Sequence, residues 1–186
     1  MRYITFLRAI NVGGHTVKME YLRRLFESFG FSGVETFIAS GNVIFQTKAK
    51  DTALLASKIA SGLQNALGYY VAVFIRTAAE LTQIAAYQAF PQSELDKAAA
   101  FNIAFLSSPL DQEGKQRLLA LTTEIDQFVA HNREIYWLCA KKQSESTFSN
   151  ALLEKTLGVR STLRGMNTIN KMAARVASQY ATRAGG

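Results

Sequence analysis

The sequence predicts an α+β fold: a ferredoxin-like βαββαβ N-terminal half, followed by a second α/β half and C-terminal helices. Three observations predict it. Apolar patterns succeed one another as strand, helix, strand, strand, helix, strand between Tyr3 and Ile75. A second series of strand and helix patterns begins at Phe101. Cap and turn residues separate the segments throughout.

Tyr3–Leu7 reads as the first strand. Met19, Leu22, Phe26 and Phe29 recur at helical spacing. Gly30 suits the end of that helix, with Phe31 placed to fold back on its last turn. Val34–Ala39 and Val43–Gln46 read as strands joined by Ser40-Gly41-Asn42, a hairpin-like turn. Asp51 or Thr52 caps a second helix with Leu55, Ile59 and Leu63 on one face, stopped by Gly68. Tyr70–Ile75 is the fourth strand, and Thr77-Ala78-Ala79-Glu80 fits a capping box. Pro91 to Lys97 reads as a loop or short helical turn, which sets the expected boundary: a half of residues 1–90 and a half of residues 91–186, packed as one unit. Phe101–Leu106 is a strand. Asp111 is expected to cap a long helix carrying Leu118, Leu121, Ile125 and Phe128. Glu134–Ala140 is a strand, Gln143–Thr147 a polar linker. Helices then start at Asn150 and near Thr168, where both residues suit N-caps.

Composition narrows the function classes. The chain of 186 residues carries a formal net charge of +7. That excess favours anionic partners, nucleic acid or a phosphorylated small molecule, and equally serves solubility. No apolar run approaches the roughly 20 residues that span a bilayer, and no signal peptide is read at the start, so no membrane association is expected. The single cysteine, Cys139, sits in an apolar strand and is read as a buried, inert thiol, giving a cytoplasmic address. One cysteine and two distant histidines make no zinc spacing. Neither a metal nor a cofactor is expected, and the oligomeric state stays open.

Two polar tips carry the chemistry. In the predicted topology the first and second strands run in the same direction, so both chains leave the sheet at one edge. Asn11-Val12-Gly13-Gly14-His15 occupies the first exit and Ser40-Gly41-Asn42 the second. Gly13 and Gly14 let a ligand approach the backbone, and the helix that follows presents N–H groups to an anion. Arg8, His15 and Lys18 add positive charge; Asn11, Ser40 and Asn42 supply neutral donors and acceptors. The same residues also serve as ordinary turn chemistry, and Asn11 can bond to its own loop.

These segments resemble a known family. Ile10-Asn11-Val12-Gly13-Gly14, Met19-Glu20-Tyr21-Leu22, Gly30-Phe31 and Ser40-Gly41-Asn42-Val43-Ile44-Phe45 are similar to the N-terminal half of the bacterial domain of unknown function 1697 family. Phe148–Lys155, Leu157-Gly158-Val159, Thr162, Arg164 and Asn167-Thr168 resemble its C-terminal signature. Ala9, Gly165-Met166 and Thr147 depart from it, standing where glycine, Asn-Trp and a basic residue are expected. The resemblance implies a fold and a soluble bacterial protein; it implies no mechanism.

Asn150, Lys155, Arg164, Asn167 and Thr168 form a second polar cluster near two helix starts. Arg164 is read as a loop guanidinium able to clamp an anion and to approach the Asn11–His15 loop. Tyr136 and Trp137 beside Lys141-Lys142 are read as a half-buried strand rather than an RNA-stacking platform. The sequence therefore favours a module that binds an anion or nucleic acid. The alternative is an enzyme acting on a small phosphorylated or carboxylated metabolite. His15 is its sole candidate general acid or base, because histidine is the side chain that changes charge nearest neutrality.

Overall fold

The computed structural model describes residues 1–8, 10–11, 14–38 and 41–184. Two units are distinguished: Met1–Thr82 with Arg175–Gly186, and Gln83–Ala174. The boundary expected between residues 90 and 91 falls inside the second unit.

In the first unit the elements run β1 (Arg2–Arg8), α1 (Met19–Ser28), β2 (Ser32–Phe37), β3 (Asn42–Gln46), α2 (Thr52–Leu67) and β4 (Ala72–Thr77), followed by α3 (Ala78–Ala86), whose residues from Gln83 are assigned to the second unit. The sheet order is β2-β3-β1-β4, antiparallel throughout. With β3 between them, β1 and β2 point the same way, so both deliver their following loops to one edge. Period-2 alternation sends Tyr3, Leu7, Val43, Phe45 and Ile75 into one core, where Leu22 and Phe26 of α1 and Leu55, Ile59 and Leu63 of α2 cover them. Each such burial contributes about 1.5–3 kcal/mol. The helix ends behave as their residues predict. Asp51 accepts from the amides of Ala53 and Leu54. Phe31 N donates back to Phe26 O across Gly30, while the Phe31 ring packs 4.4 Å from that of Phe45. Thr77 and Glu80 form the reciprocal capping box, with Thr77 N donating to Glu80 Oε2 at 2.7 Å and Glu80 N to Thr77 Oγ1 at 3.1 Å.

The second unit repeats this order without a visible sequence repeat. After the short α4 (Gln92–Leu95) come β5 (Ala100–Leu106), α5 (Gln112–Leu119), β6 (Asp126–His131), β7 (Glu134–Cys139), α6 (Asn150–Leu157) and β8 (Ser161–Gly165), then α7 (Met166–Ala184), whose residues from Arg175 are assigned to the first unit. The sheet order is β6-β7-β5-β8, again antiparallel. Its core joins Ala104, Leu106, Ile135, Trp137 and Cys139 to Leu118, Leu153 and Leu157. Burial raises the Cys139 thiol above its ordinary pKa.

Three expectations need correction. The long helix from Asp111 ends at Leu119, and Phe128 lies on β6 instead. Asp126 anchors that strand: its amide donates to Thr123 Oγ1 at 3.0 Å, and the following turn places Asn132 at φ 52°, a left-handed conformation that asparagine tolerates. Residues 161–165 form β8, which pairs with β5, and α7 starts directly after it at Met166. Finally, Ser149 rather than Asn150 caps α6, its Oγ accepting from Leu152 N at 3.1 Å. Among the described residues no helix is long and apolar enough to cross a membrane.

Candidate functional site

The β2–β3 turn meets the end of β1 through the backbone. Leu7 N donates to Gly41 O at 2.8 Å. Gly41 sits at φ +73°, and a Cβ there would come within 2.8 Å of Ile10 Cγ2 and 3.1 Å of Leu7 Cβ. Glycine is thus required both by conformation and by the closeness of the β1 exit loop. Asn42 is fully buried and its Nδ2 donates to Phe37 O at 3.0 Å, bridging the turn. Its described role is structural.

The exit loop is held closed from inside. Asn11 Oδ1 accepts from Val17 N at 2.7 Å. Gly14 is exposed at φ +84°. His15 is exposed and stacks on Tyr69, with ring centroids 4.0 Å apart and 25° between planes. The Tyr69 hydroxyl donates to Ile10 O at 2.8 Å, and burial raises its pKa, keeping the phenol protonated. Tyr69 therefore both supports the histidine and pins the loop. The sequence signal for it is the aromatic pair Tyr69-Tyr70 after the Gly68 stop, of which only Tyr70 enters the sequence reading, as the start of the fourth strand.

Lys18 is exposed and stands at the N-cap of α1 in extended conformation, with no side-chain cap hydrogen bond to the helix. Arg8, half-buried, closes β1 opposite Ala72. The first turn also contains Glu20, an unfavourable neighbour for an anion. Its carboxylate, however, is bound by Arg23 at 2.7 Å and Arg24 at 3.1 Å. Those hydrogen bonds lower its pKa from 4.5 to about 2. Gly13 and Ser40 lie outside the described residues.

Asn150, Arg164 and Asn167 belong to the second unit. Asn150 Nδ2 donates to Ser161 O at 3.1 Å and its Oδ1 accepts from Ser161 Oγ at 2.8 Å, tying α6 to β8. Arg164 is not on a loop. It lies within β8, 9% exposed, and Nη1 donates to Thr162 Oγ1 at 2.8 Å and to Leu163 O at 2.7 Å. Desolvation lowers its pKa to about 10, so it remains cationic at neutral pH. Asn167 is exposed in the first turn of α7. Among the described residues, no group of three or more His, Cys, Asp or Glu side chains could hold a metal ion.

An α+β chain with two like-ordered antiparallel sheets and a glycine-bearing polar edge defines the class. The family profile described as "Protein of unknown function (DUF1697)" matches residues 1–136, and the chain belongs to that family. The C-terminal segment from Phe148 lies beyond the matched residues. Among solved structures, the conserved bacterial protein SP0830 from Streptococcus pneumoniae is similar in fold, with a TM-score of 0.76 at 21% identity over 95% of this chain and 98% of that one. No curated protein matches.

Proposed function

We propose that the edge formed by the β1 exit loop and the β2–β3 turn binds anions, with the phosphate backbone of a nucleic acid as the favoured ligand. One observation carries the reading: α1 begins without a side-chain cap at the same edge where His15 and Lys18 are exposed. Free first-turn amides and the positive end of the helix favour negative charge. The net charge of +7 supports the same ligand class. His15 has an aromatic ring as its described neighbour, an arrangement suited to positioning and stacking more than to proton transfer. A cytoplasmic setting belongs to this proposal.

The test is fluorescence anisotropy of labelled single-stranded RNA and duplex DNA at two salt concentrations. Binding should weaken steeply with salt, because each neutralised phosphate releases counterions. Lys18→Ala should reduce both the affinity and the salt slope, the latter by about one. No binding at low salt overturns the nucleic-acid reading, and titration with inorganic phosphate then decides whether the edge takes small anions.

A further inference from the structure

The two units end their fourth strands differently. In the β1–β4 ladder Tyr3 faces Thr77, and in the β5–β8 ladder Asn102 faces Gly165. Gly165 is therefore the counterpart of Thr77, Met166 of Ala78, and Thr168 of Glu80. The capping box that closes α3 has no equivalent at α7, because glycine offers no side-chain acceptor. This 19-residue helix begins directly at Met166 after that glycine, so the position that carries the Thr77 hydroxyl in the first unit carries no side-chain oxygen here.

That open helix start lines a cavity of about 710 Å³ within the second unit, to which Asn102, Gly165, Met166, Asn167 and Asn170 contribute. Asn102 is 7% exposed, and its Nδ2 has no hydrogen-bond partner. Buried amide donors are ordinarily satisfied, so an unpaired one in a cavity wall calls for a partner that the chain does not supply. Asn102 Oδ1 lies 3.7 Å from where a Gly165 Cβ would stand, which puts the side-chain amide against the helix start. The remaining wall is formed by alanines with Leu95, Phe101 and Tyr87, plus the neutral amide side chain of Gln88, and contains no lysine, arginine, aspartate or glutamate.

We propose that this cavity binds a small monocarboxylate with an apolar body. The donors here are an amide N–H and the positive end of α7, which suit one delocalised negative charge. With no cation in the wall, a phosphate dianion lacks the countercharge it needs. The volume suits a compact ligand, whose hydrocarbon part would rest against Phe101, Leu95 and Ala98. This site is separate from the anion-binding edge of the first unit.

The experiment is amide NMR of the full chain titrated with benzoate, with benzamide as the uncharged control and inorganic phosphate as the competing anion class. At about 10 mM, where even a millimolar ligand approaches saturation, benzoate should shift the amide signals of Met166, Asn167 and Thr168 and the Asn102 side chain. Benzamide should not. Gly165→Ser supplies the missing cap without steric conflict, since a Cβ there meets only Asn102 Oδ1 at ordinary contact distance. That variant should melt higher and lose benzoate affinity about tenfold or more, a loss of about 1.4 kcal/mol. Asn102→Leu should also lose affinity while folding at least as stably, because it removes an unpaired buried donor. Equal shifts with benzamide, stronger shifts with phosphate, an unchanged benzoate affinity in Gly165→Ser, or no shift at all would each overturn the proposal.

Discussion

Trp137 donates its indole N–H to the Asp126 carboxylate at 2.7 Å, with both residues buried in the second unit. The same carboxylate accepts from Ser146 Oγ at 2.8 Å and Thr123 Oγ1 at 3.2 Å. One side chain thereby holds the start of β6, the neighbouring strand β7 and the segment leading to α6. Removing it would leave the indole N–H buried without an acceptor. Asp126→Ala is expected to cost about 3 kcal/mol, since hydrogen bonds to a charged group contribute more than neutral ones and an orphaned donor adds its own penalty. Trp137 is the single tryptophan, so its emission reports the change directly. The denaturation midpoint should fall and the native emission shift to the red; an unaltered midpoint and spectrum would refute the anchoring role.

Gly41→Ala should destabilise the first unit by roughly 2 kcal/mol or more. The left-handed backbone penalises any Cβ by about 1–2 kcal/mol, and overpacking adds its own cost. Here that Cβ would press on Ile10 and Leu7. Urea denaturation of the variant measures the loss. A neutral result would show that turn and loop are not packed together in solution.

How far this could be read from the sequence differs between the halves. In the first unit every strand and helix was legible, because alternation, helical spacing and caps agree locally: Asp51, Gly68 and the Thr77–Glu80 box do what their chemistry predicts. In the second, Leu118, Leu121, Ile125 and Phe128 happen to satisfy a helical period, and that pattern hid β6. The deciding interactions, Asp126 with Trp137 and the β6–β7 pairing, are non-local and invisible to a window. β8 was missed for a related reason: it is five residues long and runs straight into α7. The strand order puts the exits of β1 and β2 at one edge, as topology alone predicted. For Asn11 and Asn42 the sequence left two readings open, ligand contact or turn chemistry within the chain, and could not decide between them, because a polar loop residue looks the same in sequence whether it faces a ligand or its own backbone. The burial of Arg164 followed from the missed strand.

Glu20 links helix stability to pH and gives a test of the proposed anion site. Its pKa is lowered in the folded state, so its interaction with Arg23 and Arg24 is fully present above about 4.5 and is lost as pH falls toward about 2. The groups are exposed, so salt should weaken the effect. Carboxyl-carbon NMR should give Glu20 a midpoint well below ordinary glutamate, and Arg23→Ala with Arg24→Ala should return it upward. Glu20→Gln removes a negative charge from the first turn of α1 and should tighten nucleic-acid binding. A weaker complex would place the ligand away from this helix start.

Asn11 separates a scaffold role from a contact role. Its Oδ1 holds Val17 N at 2.7 Å and so fixes the loop that carries Gly14 and His15. Asn11→Ala removes that acceptor and should cost about 0.5–1.5 kcal/mol, with weaker anion binding because the loop loses its set position. Asn11→Asp keeps an oxygen in place for Val17 N but introduces negative charge at the edge. It should therefore retain stability close to the wild type yet bind anions at least as poorly as the alanine variant. Thermal denaturation and anisotropy titration on the same three proteins give both quantities. If Asn11→Asp keeps both its stability and full affinity, the anion does not sit at this loop, because a ligand phosphate beside it would feel the added charge directly.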